Sequence, residues 1–262
     1  MITLKKNIHL ITNDVTKQFV ADTVAAVGAS PIMSETPEEY AAIYSKIDAA
    51  VINLGMVNLE KQKVIHAACS EAQVHGVPLV IDLVGIHFSA YRKTFALELL
   101  SQYDFQVIKG NYDEITVLDS NAQFESFDAS NPIALKTIQL ISNQYPKAII
   151  VATGKIDYVC QRGHVRSVSG GSPLLPKVSG TGCVLSGLLG VCIANASHTN
   201  PFYESQSSNA DTNVSLMTLS QIEDMCKAYK SASIRAEISS QHRLGQFKID
   251  LISEISEIEV SI

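Results

Sequence analysis

The chain predicts an α/β fold with a mostly parallel central sheet and, late in the sequence, an antiparallel hairpin. Three observations carry this. Short runs rich in Val and Ile alternate with longer stretches whose apolar residues recur at three- and four-residue spacing, the pattern of βαβ units. The short runs are apolar at nearly every position rather than at alternate ones, as when helices cover both faces of a parallel sheet. At 262 residues, with 46% hydrophobic and 18% charged residues, the chain has material for one large core, and a single domain over residues 1–262 is expected.

Taken in order, the strands are expected at Ile8–Thr12, Ala49–Leu54, Leu79–Leu83, Gln106–Ile108 and Ala148–Ala152. Between them, Pro37–Ile47, Leu59–His75, Tyr91–Ser101 and Pro132–Tyr145 carry helical spacing, the first opened by Thr36-Pro37-Glu38-Glu39, an N-cap, proline and acid start. After Thr153-Gly154 the texture changes. Asp157–Gln161 and His164–Val168, separated by Arg162-Gly163, read as the hairpin. Cys183–Ala194 and Met217–Ile238 look helical, and the polar stretch Asn195–Asn213 between them is expected to be a flexible surface loop.

Composition narrows the function. The formal net charge is −6 and no extended basic stripe is present, so the attraction behind non-specific nucleic-acid binding is missing. No uncharged apolar run reaches the roughly 18 residues of a membrane-crossing helix. The N-terminal apolar residues are interrupted by Lys5, Lys6 and Asn7, too short and polar for a signal segment, and a cytoplasmic location is expected. The five cysteines are odd in number and form no C-x-x-C pair, so reduced thiols are expected. No histidine has a partner at metal-ligand spacing. Met56 follows a strand and suits either packing or a pocket rim.

Ser179-Gly180-Thr181-Gly182-Cys183 runs straight into a helical stretch. A helix start offers unpaired amides and a partial positive charge, and glycine lets a phosphate approach the backbone. Alone, the same residues equally suit a tight packing turn. Asp82, Lys109 to Glu114 and Thr153-Gly154 sit at the carboxyl ends of three strands, where parallel α/β sheets gather ligands. Two of these ends offer carboxylates suited to Mg²⁺, although each acid alone also suits a helix cap. A Walker A loop, the protein-kinase signatures and a G-x-G-x-x-G after a strand are absent.

A βαβ chain with its anion hole late in the sequence resembles the ribokinase-like small-molecule kinases, which implies a three-layer α/β/α fold. Laid in order, Ile11-Thr-Asn13, Gly28-Ala-Ser-Pro-Ile-Met33, Val51-Ile-Asn-Leu-Gly55, Val80-Ile-Asp82-Leu-Val-Gly85, Ile108-Lys-Gly-Asn111, Glu114, Thr153-Gly154 and Gly180-Thr-Gly-Cys183 resemble the hydroxyethylthiazole kinase family. The resemblance covers about residues 8–250 and weakens in Asp119–Asn131 and in the Asn195–Asn213 stretch.

That resemblance implies transfer of the ATP γ-phosphoryl to the primary alcohol of 4-methyl-5-(2-hydroxyethyl)thiazole, a thiamine salvage step. Met33, Gly180 and Asn13 match positions at the thiazole; Lys109, Thr153 and Gly182 match positions at ATP; Asp82 and Glu114 match acids around Mg²⁺. Cys183 stands where related kinases place an aspartate base, and acts either as base or as steric neighbour. At a helix start its thiol is expected to ionise in part. The resemblance also implies a homotrimer with active sites at subunit interfaces. Two departures stand out: Leu83 where the family usually has proline after the metal acid, and Lys109 where arginine is common, a point charge in place of a planar fork. A kinase of a pyrimidine or pyridoxal alcohol, or a non-catalytic thiazole-binding relative, are the competing readings.

Overall fold

Alternate residues of each central strand feed two separate cores, because helices cover both faces of the middle of the sheet. In the computed structural model, which describes residues 5–119, 132–196 and 210–259, Ile8 and Leu10, Val51, Val80, Val107 and Val151 enter one core. Their neighbours Ile11, Ile52, Ile81, Ile108 and Ile150 enter the other. This two-sided burial explains the uninterrupted apolar runs.

The strands are β1 (Asn7–Ile11), β2 (Ser30–Ile32), β3 (Ala49–Asn53), β4 (Leu79–Asp82), β5 (Val107–Asn111), β6 (Ile149–Thr153), β7 (Asp157–Gln161) and β8 (His164–Val168). They form one sheet of order β2-β1-β3-β4-β5-β6-β7-β8. Pairing is parallel through β6 and antiparallel for β6 with β7 and β7 with β8. The helices are α1 (Lys17–Ala26), α2 (Tyr40–Tyr44), α3 (Leu59–His75), α4 (Ala90–Gln102), α5 (Tyr112–Thr116), α6 (Pro132–Gln144), α7 (Thr181–Ala196), α8 (Ala210–Ser239) and α9 (Leu244–Ser256). The first core lies under α1, α7, α8 and α9; the second lies under α2 to α6. The result is three layers.

Most local signals worked as physics requires. Asn58 caps α3 by accepting from the Lys61 amide, and Gly76 ends it in the left-handed conformation at φ 66°. Others did not. Pro37–Glu39 is a 3₁₀ turn whose Thr36 side chain caps nothing, and α2 ends at Tyr44. β5 extends to Asn111 because Gly110 and Asn111 pair with Ala152 and Thr153, so Lys109 lies inside a strand rather than after it. β2, α1, α5 and α9 are elements the periodicity did not announce. Of the polar stretch expected as a loop, Asn195 and Ala196 belong to α7 and Ala210–Asn213 to α8; residues 197–209 lie outside the described residues. The same holds for residues 120–131. No described helix is long and apolar enough to cross a membrane.

Candidate functional site

Three neighbouring strands lie side by side where β3 and β4 end and β5 runs on for two residues. Asn53 pairs in register with Asp82, and Asp82 with Lys109. Each lies two residues after a valine of the α7-side core, so period-two alternation points all three side chains at α7. Four buried side chains meet there. Asp82, fully buried, accepts from Lys109 Nζ at 3.1 Å through Oδ1. Its Oδ2 accepts from Asn53 Nδ2 at 2.9 Å and Ser186 Oγ at 2.7 Å. Lys109 also donates to the Gly182 carbonyl at 3.0 Å, which ties the strand end to the first turn of α7. Burial works against the Lys109 ammonium, but Asp82 together with Cys183 and Glu114 outweighs it and holds the amine above its ordinary range.

The turn into α7 depends on Gly180. Its φ is +95°, and a Cβ there would lie 2.6 Å from Thr16 Cγ2, so both conformation and close approach exclude other residues. Within α7 the Val184 amide is bonded to the Gly180 carbonyl. The amides of Thr181, Gly182 and Cys183 precede it in the first turn, the set that a helix start leaves for an anion.

Cys183 lies beneath this turn. Its sulfur accepts from Asn53 Nδ2 at 3.3 Å and Asn13 Nδ2 at 3.5 Å, while Asn13 Nδ2 also donates to Asn53 Oδ1 at 3.2 Å. Burial, then the Asp82 charge, push the thiol up, against the opposing effect of Lys109. The expectation of a partly ionised thiol is therefore corrected: loss of solvation and a neighbouring carboxylate outweigh the helix start.

Glu114 stands on α5, and both its oxygens are engaged. Oε1 accepts from the Gly85 amide at 2.7 Å and Oε2 from the Asn111 amide at 2.7 Å. The Asn111 side chain accepts in turn from the Glu114 amide, completing a capping box. Burial and then Asp82 raise its carboxyl above the ordinary range. Gly110 lies under this side chain, where a Cβ would come within 2.9 Å of Glu114 Cβ.

Beside the start of α7 opens a cavity of about 690 Å³, lined by Thr153, Gly154, Gly171, Leu175, Gly182 and Tyr229 among others. Its volume falls in the usual range for small-molecule sites. Met33 follows β2 and packs partly buried against the α7-side core. Met56, 44% exposed, borders a different, charged cavity with Asp14, Glu35 and Lys61. All five cysteines are buried and free.

The structure thus brings together Asp82, Lys109, Gly182, Cys183 and Asn13, with Glu114 in the first turn of α5 and Thr153 at the end of β6. Asn53 and Ser186 were missed as site residues. Asn53 carried the same signal as Asp82, a polar residue closing an apolar strand. Ser186 carried only its spacing, one helical turn after Gly182.

Residues 3–261 match the family model described as the hydroxyethylthiazole kinase family. A hydroxyethylthiazole kinase of Macrococcus caseolyticus is 30% identical over 250 residues, 95% of this chain and 89% of the relative. The solved hydroxyethylthiazole kinase of Pyrococcus horikoshii superposes with a TM-score of 0.81 at 26% identity, covering 98% of this chain and 89% of that one. A ribokinase-like superfamily protein of Enterococcus faecalis gives a TM-score of 0.57 at 11% identity, with 96% and 87% covered, a likeness of fold alone.

Proposed function

Because the chain belongs to the hydroxyethylthiazole kinase family, we infer that it transfers the γ-phosphoryl of ATP to the primary alcohol of 4-methyl-5-(2-hydroxyethyl)thiazole. It is a phosphotransferase acting on an alcohol in thiamine salvage. The observation that carries the site assignment is the Lys109 bridge from Asp82 to the Gly182 carbonyl. It joins the strand-end carboxylate to the helix start that can receive phosphate.

In this reading the phosphoryl oxygens meet the amides of Thr181, Gly182 and Cys183. Transfer through a loose transition state relies on positioning and charge neutralisation. The alcohol oxygen forms its bond to the γ-phosphorus as the bond to the β-phosphate oxygen breaks, and the alcohol proton leaves with the products. Lys109 spends two of its three protons on Asp82 and Gly182, leaving one for a phosphate oxygen. Cys183 remains a thiol held by Asn13 and Asn53, lying close under the reacting centre. Asn13, Met33 and Gly180 are assigned to the thiazole side; Thr153 and Gly182 to the nucleotide side.

Mg²⁺ fits the charge around the strand ends. Burial and the Asp82 charge raise the cost of ionising Glu114 while Lys109 offers a single positive charge, and the hard oxygen donors of both acids suit that ion. Each carboxylate oxygen already accepts a protein hydrogen bond, so the ion would keep most of its waters. Bound there, it supplies neutralisation of phosphate charge. The test is ADP release from ATP with the thiazole alcohol, a pyrimidine alcohol and pyridoxal offered separately, with and without EDTA. Turnover confined to the thiazole alcohol and abolished by EDTA is expected; preference for another alcohol would favour the competing kinase reading.

A further inference from the structure

We propose that Lys230 is a positioning residue for the nucleotide, holding the walls of the 690 Å³ cavity without itself touching phosphate; this rests on the reading that ATP enters there. Its side chain, 6% exposed, meets Asp157, 4% exposed, at 3.1 Å. The same ammonium lies 3.3, 3.2 and 3.1 Å from the carbonyls of Gly154, Lys155 and Val168. Four acceptors surround three protons. No proton is left for a ligand, although Lys230 lines the cavity.

The acceptors belong to different walls. Gly154 and Lys155 form the turn between β6 and β7, and Asp157 accepts from the Gly154 amide at 2.9 Å. Val168 ends β8 and leads into Gly170 and Gly171, both with φ near +90°. The Lys230 stem runs against Gly171, where a Cβ would sit 3.1 Å from Lys230 Cγ. Adjacent residues of α8 extend the grip. Tyr229 donates to the Thr181 carbonyl at 2.8 Å, and Ser233 Oγ accepts from the Ser172 amide at 2.9 Å. One face of α8 therefore fixes the β6–β7 turn, the segment after β8 and the first residue of α7. Burying an ammonium is costly unless it is fully paired, and this one is spent on Asp157, two carbonyls of the β6–β7 turn and the carbonyl that closes β8.

Lys230→Met keeps the stem and removes the ammonium. ADP binding by calorimetry and steady-state kinetics should show nucleotide affinity and KM for ATP weakened about tenfold or more, on the scale of charge-assisted hydrogen bonds. KM for the thiazole alcohol and kcat at saturating ATP should stay within about threefold, a split that general destabilisation does not produce. Unchanged ADP affinity, or a loss confined to kcat, would overturn the proposal. Should Lys230→Met yield no folded protein, the near-isosteric Asp157→Asn carries the test, with ADP affinity falling severalfold if the proposal holds and unchanged if it fails. A wild-type protein that binds no ADP overturns both this and the ATP reading; variants that bind as wild type overturn only the role of Lys230.

Discussion

At Gly182 and Cys183 two explanations of the rate separate. A Cβ on Gly182 would lie 3.2 Å from Lys109 Nζ, so Gly182→Val crowds both the anion hole and the lysine that braces it. Losing a backbone donor to developing charge costs on the order of 10²-fold in kcat, and this variant should be nearly inactive. Cys183→Ala keeps every amide in place and should lose no more than about 10²-fold, the low end of general-base effects. Because burial and Asp82 push the thiol up, a thiolate base would make the wild-type rate climb with pH through the raised value. A flat kcat between about pH 7 and 8.5, near the ordinary thiol value, is expected instead. An alanine variant as inactive as the valine one, or a rate climbing steeply with pH and lost in that variant, would restore the thiol as base.

At the scale of elements, the capping box of α5 does two jobs with one side chain. Glu114 closes the helix start through the Asn111 amide and holds the loop after β4 through the Gly85 amide. Glu114→Gln sets an NH₂ group against one of these donors. It should cost about 1 kcal/mol in urea unfolding, the usual cost of a lost cap, and lower kcat by about tenfold or more, as loss of a metal-side charge does. A stability loss with full activity would leave Glu114 as a cap alone. The helix signals here show why some elements were legible and others were not. α3 announced itself through the helical spacing of Leu59–His75, which the structure matches residue for residue. α5 spans five residues, too few for a period, and its acid read as a strand-end ligand because the capping partner is Asn111 in a segment that resembles a turn. Strand ends were legible to within a few residues, except where Gly110 hid the continuation of β5.

For the whole molecule, the layer order and the hairpin could be read from the chain because two-faced burial writes itself into apolar runs. The convergence on Asp82 could not, since Asn53 and Ser186 reach it only through register and helix packing, and the same holds for Lys230 and Asp157. Assembly is likewise invisible to periodicity. We propose a homotrimer with active sites at subunit interfaces, in keeping with exposed Val15, Leu59 and Phe88 in the segments after β1, β3 and β4, at the carboxyl end of the sheet. Light scattering at micromolar concentration should give three times the 28.4 kDa chain mass; a monomer would contradict it. The central claim, phosphoryl transfer from ATP to the thiazole alcohol, is tested most directly by phosphorus NMR of the purified protein with ATP, Mg²⁺ and that alcohol. A phosphate-monoester signal growing in step with ADP is predicted, and ADP formation without the ester, or neither product, would contradict it.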